Sequence, residues 1–534
     1  MAEPITLDGA HLTPEMLMEV ARGHRRVRLG AAARRRMERS RREVLRAVEE
    51  GRPVYGVTTG FGRLSDRLIS REDAKTLQRN LIRSHASGVG PLLPPDLVRA
   101  LLLVRANGLC RGFSGVRPEV VITLLGMLNR DVTPAIPLQG SVGASGDLAP
   151  LAHAALAMLG EGEVLAEGGR TKPGAAALRD AGIPPLVPQE KEGIALLNGT
   201  CLMTAYLALL EQDGERLLRA AEMVAGLSFD VLQGNVGALD PRLHGARNLP
   251  EQEDVAAFLR GWLRGSALVR PARDYQGQDP YVLRCIPQVL GASRVGLGWA
   301  RRVLEGELNA ASDNPLIFGS DFVSGGNFHG QPLALALETL ALALSYVGSF
   351  SERRSARLVD SDLSRGLAPF LSRTPGLSSG YMIPQYVAAA LVAENAALAH
   401  PVSAYSLPTS ANQEDFNSMG AGAGAKGQRI LENLWRILAV ELLLGCAGLE
   451  ERRPAHGGVG TEALYREVRR RVPPLEADRP PAPDLETLAR LLREGPLLEK
   501  VAREVSREGS GTSKGMRRKG SSGKGPASGR SRFP

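Results

Sequence analysis

The chain has 534 residues, 43% of them hydrophobic and 23% charged, as is ordinary for a soluble globular protein of two or three packed subdomains. Seven basic and no acidic residues follow residue 508, so most of the net charge of +9 lies there and the rest carries only about +2. The body of the chain therefore does not have the charge of a nucleic-acid binder. Aromatic residues make up only 4%, so the core must consist mainly of Leu, Ala and Val, which favours close helix packing.

The cysteine pattern and the polar first residues indicate the cellular compartment of the protein. Cys110, Cys201, Cys285 and Cys446 lie far apart without zinc spacing, and the first residues are polar, so we expect a cytoplasmic protein without a metal. The longest apolar run, 332–350, is interrupted by Glu338 and predicts a buried helix, not a membrane span. The Gly-, Ser- and Lys-rich residues 506–534 predict a disordered, solvated tail. Contact of this tail with nucleic acid or a membrane surface is the alternative.

Helical periodicity dominates the chain from its first third onwards. Two Gly-rich segments, 55–62 and 133–150, interrupt it and predict irregular loops. Helices are predicted over 31–50, 73–86, 95–110, 118–129, 151–159, 201–228, 254–265, 292–311, 331–348, 386–399 and 427–448. The predicted fold class is all-α, with short strands at most. We expect an N-terminal domain with Gly-rich active-site loops over 1–200, a long central helical bundle over 201–505, and the tail over 506–534.

The most informative segment is 140–150, GSVGASGDLAP. It lacks the Lys-Ser/Thr pair of a phosphate-binding loop and the Gly-x-Ser-x-Gly of a hydrolase elbow. By itself it could be a turn in which Asp147 caps the following helix. Gly146 has no Cβ, however, so its amide nitrogen can approach the Ala144 carbonyl in a compressed loop. Ring closure followed by dehydration of Ser145 would leave an imidazolone with an exocyclic methylene.

The string 140–153 resembles the self-cyclising segment of the histidine and phenylalanine ammonia-lyase family. The resemblance covers about residues 5–505 and includes YGVTTGFG from Tyr55, LNGT around Asn198, QDPYVLRC from Gln278 and GGNFH around Phe328. It implies elimination of ammonia from an amino acid, with the electrophile built from Ala144, Ser145 and Gly146 and no external cofactor. Elimination from a weakly acidic β-carbon needs such an electron sink, because ordinary side chains do not supply one.

The same resemblance implies a role for each matching residue. Tyr55 would be the general base on the β-carbon, provided that a polar or basic neighbourhood lowers its pKa. Asn198 would orient the amino group and the imidazolone, and the guanidinium of Arg284 would grip the substrate carboxylate in two places. The remaining expected site residues are Gln278, Tyr281, which could share a helical face with Arg284, and Phe328 as a wall of the pocket. The resemblance also implies a homotetramer whose active sites combine residues of three chains.

Substrate choice depends on the residues that meet the side chain. Ser84-His85, Glu414 and Pro280 resemble the histidine branch, and a carboxylate at 414 can pair with an imidazole N–H. We therefore expect L-histidine as substrate and trans-urocanate as product. The residues Thr58, Cys201, Ile286, Tyr405 and Phe416-Asn417 depart from that branch. A phenylalanine or tyrosine lyase, or a 2,3-aminomutase, is the alternative, and a non-catalytic helical scaffold is a third hypothesis.

Overall fold

A computed structural model of the chain describes residues 3–273 and 277–516, the last nine of them by backbone only. Helices account for most of these residues. They are α1 (Pro14–Ala21), α2 (Ala31–Glu49), α3 (Ala74–His85), α4 (Pro95–Cys110), α5 (Pro118–Asn129), α6 (Leu148–Met158), α7 (Gly174–Asp180), α8 (Glu192–Leu197), α9 (Cys201–Val231), α10 (Pro241–Gly245), α11 (Pro250–Trp262), α12 (Tyr281–Arg284), α13 (Ile286–Glu307), α14 (Gln331–Val359), α15 (Met382–Leu398), α16 (Gly420–Glu451), α17 (Val459–Arg469), α18 (Ala482–Glu494) and α19 (Leu497–Met516).

The strands of the described residues are short and form pairs. β1 (Ile5–Leu7) runs parallel to β2 (Val27–Leu29), with Ile5 opposite Val27. The other three pairs are antiparallel: β3 (Val89–Leu92) with β4 (Pro137–Gln139), β5 (Glu163–Leu165) with β6 (Thr171–Pro173), and β7 (Leu316–Phe318) with β8 (Asp321–Val323). The prediction of an all-α protein with minor strands is confirmed.

The Cα positions divide the chain into two compact units. Unit 1 consists of Met1–Arg216, Ala292–Gly348 and Ala390–Leu434, and unit 2 of Leu217–Gly291, Ser349–Ala389 and Trp435–Pro534, as far as these residues are described. The expected domains 1–200 and 201–505 remain a prediction. Residues 506–516 of the expected tail belong to α19, and residues 517–534 lie outside the described part of the chain.

Unit 1 is built around helices that are buried on nearly every side. In α4 all but three residues are buried, and α6 is Ala-rich and almost as enclosed. Ala and Leu fill such positions with little loss of side-chain entropy, so helices can approach closely. β4 ends at Gln139 and α6 begins at Leu148, and the loop 140–147 therefore has a rigid element on each side. This anchoring can hold a strained loop conformation in place.

Unit 2 has its own core around Trp262, whose side chain is fully buried. A Cβ on Gly460 would lie 2.1 Å from this indole ring, and one on Gly226 would lie 2.6 Å from it. The indole Nε1 donates to Thr461 Oγ1 over 3.2 Å, which satisfies the ring's only polar group. Glycines on the neighbouring helices thus make room for this large, fully buried side chain.

The prediction that the longest apolar run forms a buried helix is confirmed. That run lies in α14, which has 29 residues and is long and apolar enough to span a membrane; an 18-residue window in it has a mean hydropathy of 1.6, and 67% of the window is buried. A second stretch, Met382–Ala404, has a mean hydropathy of 1.2 with only 11% buried. The burial of α14 is that of a core helix, whereas the second stretch leaves an apolar surface uncovered within the chain.

Candidate active site

The loop 140–147 is fixed by a backbone pairing with the segment around Gly199. The Gly199 amide donates to the Ser145 carbonyl over 3.2 Å, and the Asp147 amide donates to the Gly199 carbonyl over 2.8 Å. Gly146 lies between these two bonds with φ +78°, and a Cβ there would be only 2.1 Å from the Gly199 oxygen. Both the left-handed backbone and the close approach therefore require glycine at 146.

The carboxylate of Asp147 caps a different helix from the one that follows it in sequence. It makes no capping bond to α6. Its Oδ2 accepts instead from the amides of Leu202 (2.8 Å) and Met203 (3.1 Å), and its Oδ1 from the Ser141 hydroxyl (3.1 Å), so it caps α9. Burial raises the pKa of Asp147 to about 6, against these hydrogen bonds. The alternative in which Asp147 caps the following helix is therefore wrong, since the backbone pairing places the first amides of α9 within hydrogen-bonding distance of its carboxylate.

The tripeptide has the features that self-cyclisation needs. Within the described residues, no hydrogen bond engages the Gly146 amide nitrogen or the Ala144 carbonyl oxygen, the groups that would join. Ala144 and Gly146 are buried, and Ser145 is half-buried. The Ser145 carbonyl is held by Gly199, so the loop is constrained without blocking the reacting atoms. The residues present therefore fit an imidazolone.

Ser145 opens onto a cavity of about 460 Å³ in unit 1. Five of the expected site residues line it together, each from a separate stretch of sequence: Tyr55, His85, Ser145, Asn198 and Glu414. Apolar side chains form much of the remaining wall, namely Phe61, Leu64, Ile69, Leu77, Leu81, Leu148, Ile194 and Leu197. A neighbouring cavity of about 230 Å³ is lined by Ala144, Gly146 and again His85 and Glu414. An apolar pocket with a few convergent polar groups is typical of a small-molecule site.

Glu414 brings a negative charge to this cavity. Its Oε1 accepts from the Ser145 hydroxyl over 3.4 Å, and its Oε2 accepts from Thr409 Oγ1 over 2.9 Å. No basic nitrogen of the described residues lies within 4.0 Å of the carboxylate. A half-buried carboxylate without a cationic partner retains hydrogen-bonding capacity for a ligand N–H.

Tyr55 lies at the same cavity, but its titration differs from the expectation. Its hydroxyl oxygen accepts from the Gly62 amide over 3.0 Å, and its ring meets Phe61 edge-on with centroids 6.3 Å apart. Burial raises the pKa of Tyr55, and the Glu414 charge raises it further, while the Gly62 bond opposes both. The expected lowering of this pKa was therefore wrong, because burial disfavours the phenolate and the Glu414 carboxylate disfavours it further.

His85 and Asn198 complete the polar lining. Burial lowers the pKa of His85 and so favours the neutral imidazole, with Glu414 acting in the opposite direction. The Asn198 amide is buried, and its Nδ2 donates to the Asn314 carbonyl over 3.2 Å. That bond leaves the Asn198 Oδ1 available as an acceptor and fixes the rotamer of the side chain.

Phe328 does not line this cavity in the described chain. It is half-buried beside His329, whose ring stacks on Phe416 with centroids 6.0 Å apart and an interplanar angle of 17°. The His329 Nε2 is also 3.1 Å from the Phe416 carbonyl oxygen. The expected role of Phe328 as a pocket wall remains a prediction.

The segment with Gln278, Tyr281 and Arg284 belongs to unit 2. Buried Asp279 anchors it, since its carboxylate accepts from Arg365 Nη2 over 2.7 Å and from the Asn235 amide over 2.6 Å. The Arg284 guanidinium stacks over the exposed Tyr281 ring, 4.7 Å from its centroid, as the three-residue spacing predicted. The Arg284 Nε is buried without a hydrogen-bond partner in the described part of the molecule.

Sequence reasoning missed one connecting residue, Gln78. It is fully buried on α3, and its Nε2 donates to the Gly56 carbonyl over 3.1 Å. Its Oε1 accepts from the Ile194 amide over 3.2 Å. Gln78 therefore ties the Tyr55 loop to α8. The only sequence signal was a polar residue on the apolar face of a predicted helix.

A family model described as aromatic amino acid lyase matches residues 12–470. The chain belongs to the aromatic amino acid lyase family. It is 47% identical to histidine ammonia-lyase of Caldanaerobacter subterraneus subsp. tengcongensis over 502 residues, 94% of this chain and 98% of the relative. Tyrosine aminomutase of Streptomyces globisporus superposes with a TM-score of 0.90 at 39% identity, covering 94% of this chain and 99% of that one. Histidine ammonia-lyase of Trypanosoma cruzi gives 0.87 at 38% identity, covering 95% and 96%.

Since the aromatic amino acid lyases named here differ in substrate, the positions that depart from the histidine branch need a structural account. Thr58 is buried in its own turn, donating to the Arg52 carbonyl over 2.5 Å, and Cys201 is buried at the start of α9. Phe416 is 61% exposed. None of these three is among the described residues that line the cavity. These departures therefore carry less weight for the substrate than Glu414 and His85 do.

Proposed function

We propose that this lyase is a histidine ammonia-lyase, which eliminates ammonia from L-histidine to give trans-urocanate. The observation that carries the proposal is the Glu414 carboxylate, which faces an otherwise largely apolar cavity without a cationic partner in the described chain. An imidazole N–H would satisfy that carboxylate, whereas a phenyl ring would leave it buried and unpaired. The identity to histidine ammonia-lyases over most of the chain supports the same substrate.

The electrophile is proposed to form from Ala144, Ser145 and Gly146. Once formed, the imidazolone would supply the electron-poor methylene that elimination from a weakly acidic carbon requires. The Gly199 backbone would hold it through the bonds to the Ser145 carbonyl and the Asp147 amide. No external cofactor is part of the proposal.

The side chains of unit 1 would then remove the β-proton, orient the substrate and exclude water. Tyr55 would take the β-proton at its hydroxyl oxygen, which the Gly62 amide already orients. Asn198 would orient the substrate amino group through its Oδ1. His85 would act as a neutral hydrogen-bonding partner of the bound substrate, because burial disfavours its charged form. The apolar wall would exclude water from the reacting atoms.

The carboxylate of the substrate is assigned to Arg284, with Gln278 and Tyr281 beside it. A guanidinium with an unpartnered buried Nε suits a planar anion, and its stacking on Tyr281 fixes the orientation of the fork. Phe328 is assigned to the wall of the complete pocket. Mixing inactive Ser145→Ala and Arg284→Ala subunits tests whether sites combine chains, because restored activity requires residues from different copies.

A homotetramer is the proposed assembly. Leu335, Leu342 and Tyr346 lie seven and four residues apart on α14, and each is about half exposed. Apolar side chains at that spacing share one face of a helix, and a second copy of the chain would cover it. Light scattering after size-exclusion chromatography measures the assembly, and a monomer would contradict it. A cytoplasmic location is also proposed, because all four cysteines are free.

The decisive experiment is a substrate panel with purified protein. Release of urocanate from L-histidine, followed by its ultraviolet absorbance, is the expected result, together with an intact mass lower than the sequence mass by two waters. Cinnamate or coumarate release from phenylalanine or tyrosine, or a β-amino acid product, would instead assign a lyase or aminomutase of the alternative kind. A full intact mass without turnover would leave the non-catalytic scaffold.

A further inference from the structure

Three consecutive charged residues at the start of α8, Glu190, Lys191 and Glu192, are buried, and each pairs with a different part of unit 1. Glu190 pairs with Arg41 of α2 over 2.7 Å, and Glu192 pairs with Arg117 before α5 over 2.8 Å. Between them, the Lys191 Nζ lies 2.8 Å from Asp313 Oδ2, with side chains 0% and 2% exposed. Taking two charges out of water carries a large desolvation penalty, so a buried ion pair need not stabilise the fold, and another role for it can be sought.

Asp313, the partner of Lys191, is connected by hydrogen bonds to Asn198 of the proposed active site. Asp313 Oδ1 accepts from the Asn314 amide over 2.7 Å, which fixes the turn 313–314. The Asn314 carbonyl in turn accepts from Asn198 Nδ2 over 3.2 Å, and the Thr200 amide is 3.4 Å from Ser312 Oγ. The segment 312–314 therefore supports the segment 198–200 at two points.

Lys191 and Asn198 stand at opposite ends of the same short helix. Lys191 precedes α8 with a left-handed backbone, φ +67°, and Asn198 follows its last residue. Both side chains bind the turn 313–314, one by an ion pair and the other by a hydrogen bond. A six-residue helix makes few internal hydrogen bonds, so its orientation depends on contacts such as these.

We propose that the Lys191–Asp313 ion pair is a positioning pair for the elimination: it sets the Asn314 carbonyl that holds the Asn198 side chain in its reactive rotamer. This rests on the proposed function, because it assumes that Asn198 orients the substrate amino group. The Asn314 side chain extends the same support, since its Oδ1 accepts from the Gly325 amide over 2.8 Å, at the start of the loop that carries Phe328.

The neighbouring Arg41–Glu190 pair is a matched control. It is also a buried ion pair, one residue away in sequence, with side chains 8% and 10% exposed. Its bonds run from Arg41 of α2 to the Glu190 carbonyl and carboxylate, and do not reach the turn 313–314. Loss of this pair should destabilise the fold without moving Asn198.

The test compares Lys191→Met with Glu190→Gln in full-length protein, using L-histidine as substrate. We expect kcat to fall about 10-fold or more in Lys191→Met, with KM changed less than about twofold, as for an interaction made mainly in the transition state. Glu190→Gln should show a comparable loss of melting temperature but a kcat within about twofold of the wild type. If Lys191→Met does not fold, the double variant Lys191→Met with Asp313→Asn, which removes both charges, takes its place in the comparison.

A double-mutant cycle decides whether Lys191 acts through Asn198. In an Asn198→Ala background, Lys191→Met should leave the residual kcat unchanged, because the side chain that it positions is gone. A full multiplicative loss in that background would overturn the proposal, and so would a kcat loss no larger than that of Glu190→Gln. The intact mass should still lack two waters in each variant. Wild-type protein that carries this mass deficit but releases no urocanate would refute the proposed substrate instead.

Discussion

Replacing Glu414 by Gln changes the charge of the cavity while keeping its shape. In the structure the two carboxylate oxygens face different groups, Oε2 towards the Thr409 hydroxyl and Oε1 towards Ser145 and the cavity. A glutamine has only one acceptor oxygen. Either Thr409 loses its acceptor, or the substrate N–H meets an NH2 group that cannot accept from it.

The size of the effect follows from this arrangement. A hydrogen bond to a charged group contributes about 1.5–3 kcal/mol, so its loss lowers kcat/KM for L-histidine by about 10- to 150-fold. The residual activity with phenylalanine or tyrosine should not fall, because those side chains make no bond to the carboxylate. Asp415→Asn is the matched control, since it makes the same chemical change at the next, exposed residue.

The pH profile of the Glu414→Gln variant provides a second measurement. The negative charge of Glu414 raises the pKa of Tyr55, so its removal should lower that pKa and move the rising limb of kcat/KM to lower pH. Both readouts use the absorbance of urocanate. Histidine turnover within about threefold of the wild type, or an equal loss for all three amino acids, would refute the assignment of Glu414 to the imidazole.

Three further changes test the loop and the base. Tyr55→Phe removes the hydroxyl alone and should lower kcat by about 10²- to 10⁴-fold; a loss below tenfold in the urocanate assay would contradict its role as base. Gly146→Ala places a Cβ 2.1 Å from the Gly199 oxygen, so the variant should keep its full intact mass and lack activity, and a mass deficit of two waters would count against this. Asp147 has its pKa raised from 3.8 to about 6, so wild-type stability should fall by roughly 3 kcal/mol as the pH rises through that window. The free energy of unfolding of Asp147→Asn, measured in urea, should not fall with pH over this range. An unchanged pH dependence in the variant would exclude Asp147 as its source.

The helices could be predicted because their apolar residues repeat with helical spacing. α5 was predicted as residues 118–129, since Pro118 suits a first turn, and it has those bounds in the structure. α14 was predicted to end at 348 but continues to Val359. Its last turns are polar, and one of them carries Arg354, which is fully buried against Glu441 at 2.6 Å. Such a residue appears in the sequence as a solvated one, because its partner lies 87 residues away.

The site could be predicted as a set of residue types, but not as a network. By itself Asp147 could cap the helix beside it, yet its partners are amides at the start of α9. The sequence around Asp147 points to α6, the helix that follows it directly. The backbone pairing of Gly146 with Gly199 instead brings α9, which is more distant in sequence, within hydrogen-bonding distance. The direction of the Tyr55 pKa shift was missed for a related reason, since it follows from burial of the hydroxyl in the folded cavity, with a further contribution from Glu414, 359 residues along the chain.

The two glycines connect the separate motifs into one site. Because Gly146 has no side chain, its backbone approaches Gly199 closely enough for Gly199 to bond to the residues on both sides of it, the Ser145 carbonyl and the Asp147 amide. The residues immediately before them, Ser145 and Asn198, consequently line the same cavity. A motif search identifies the tripeptide and the Asn-Gly pair independently, and only the fold shows why each needs glycine. A Cβ at 146 would lie 2.1 Å from the Gly199 oxygen, whereas one at 199 would lie 2.6 Å from Arg105 Nη1 and 2.8 Å from Ser312 Oγ. A Cβ at 146 would therefore separate the serine that forms the electrophile from the amide that orients the substrate on it.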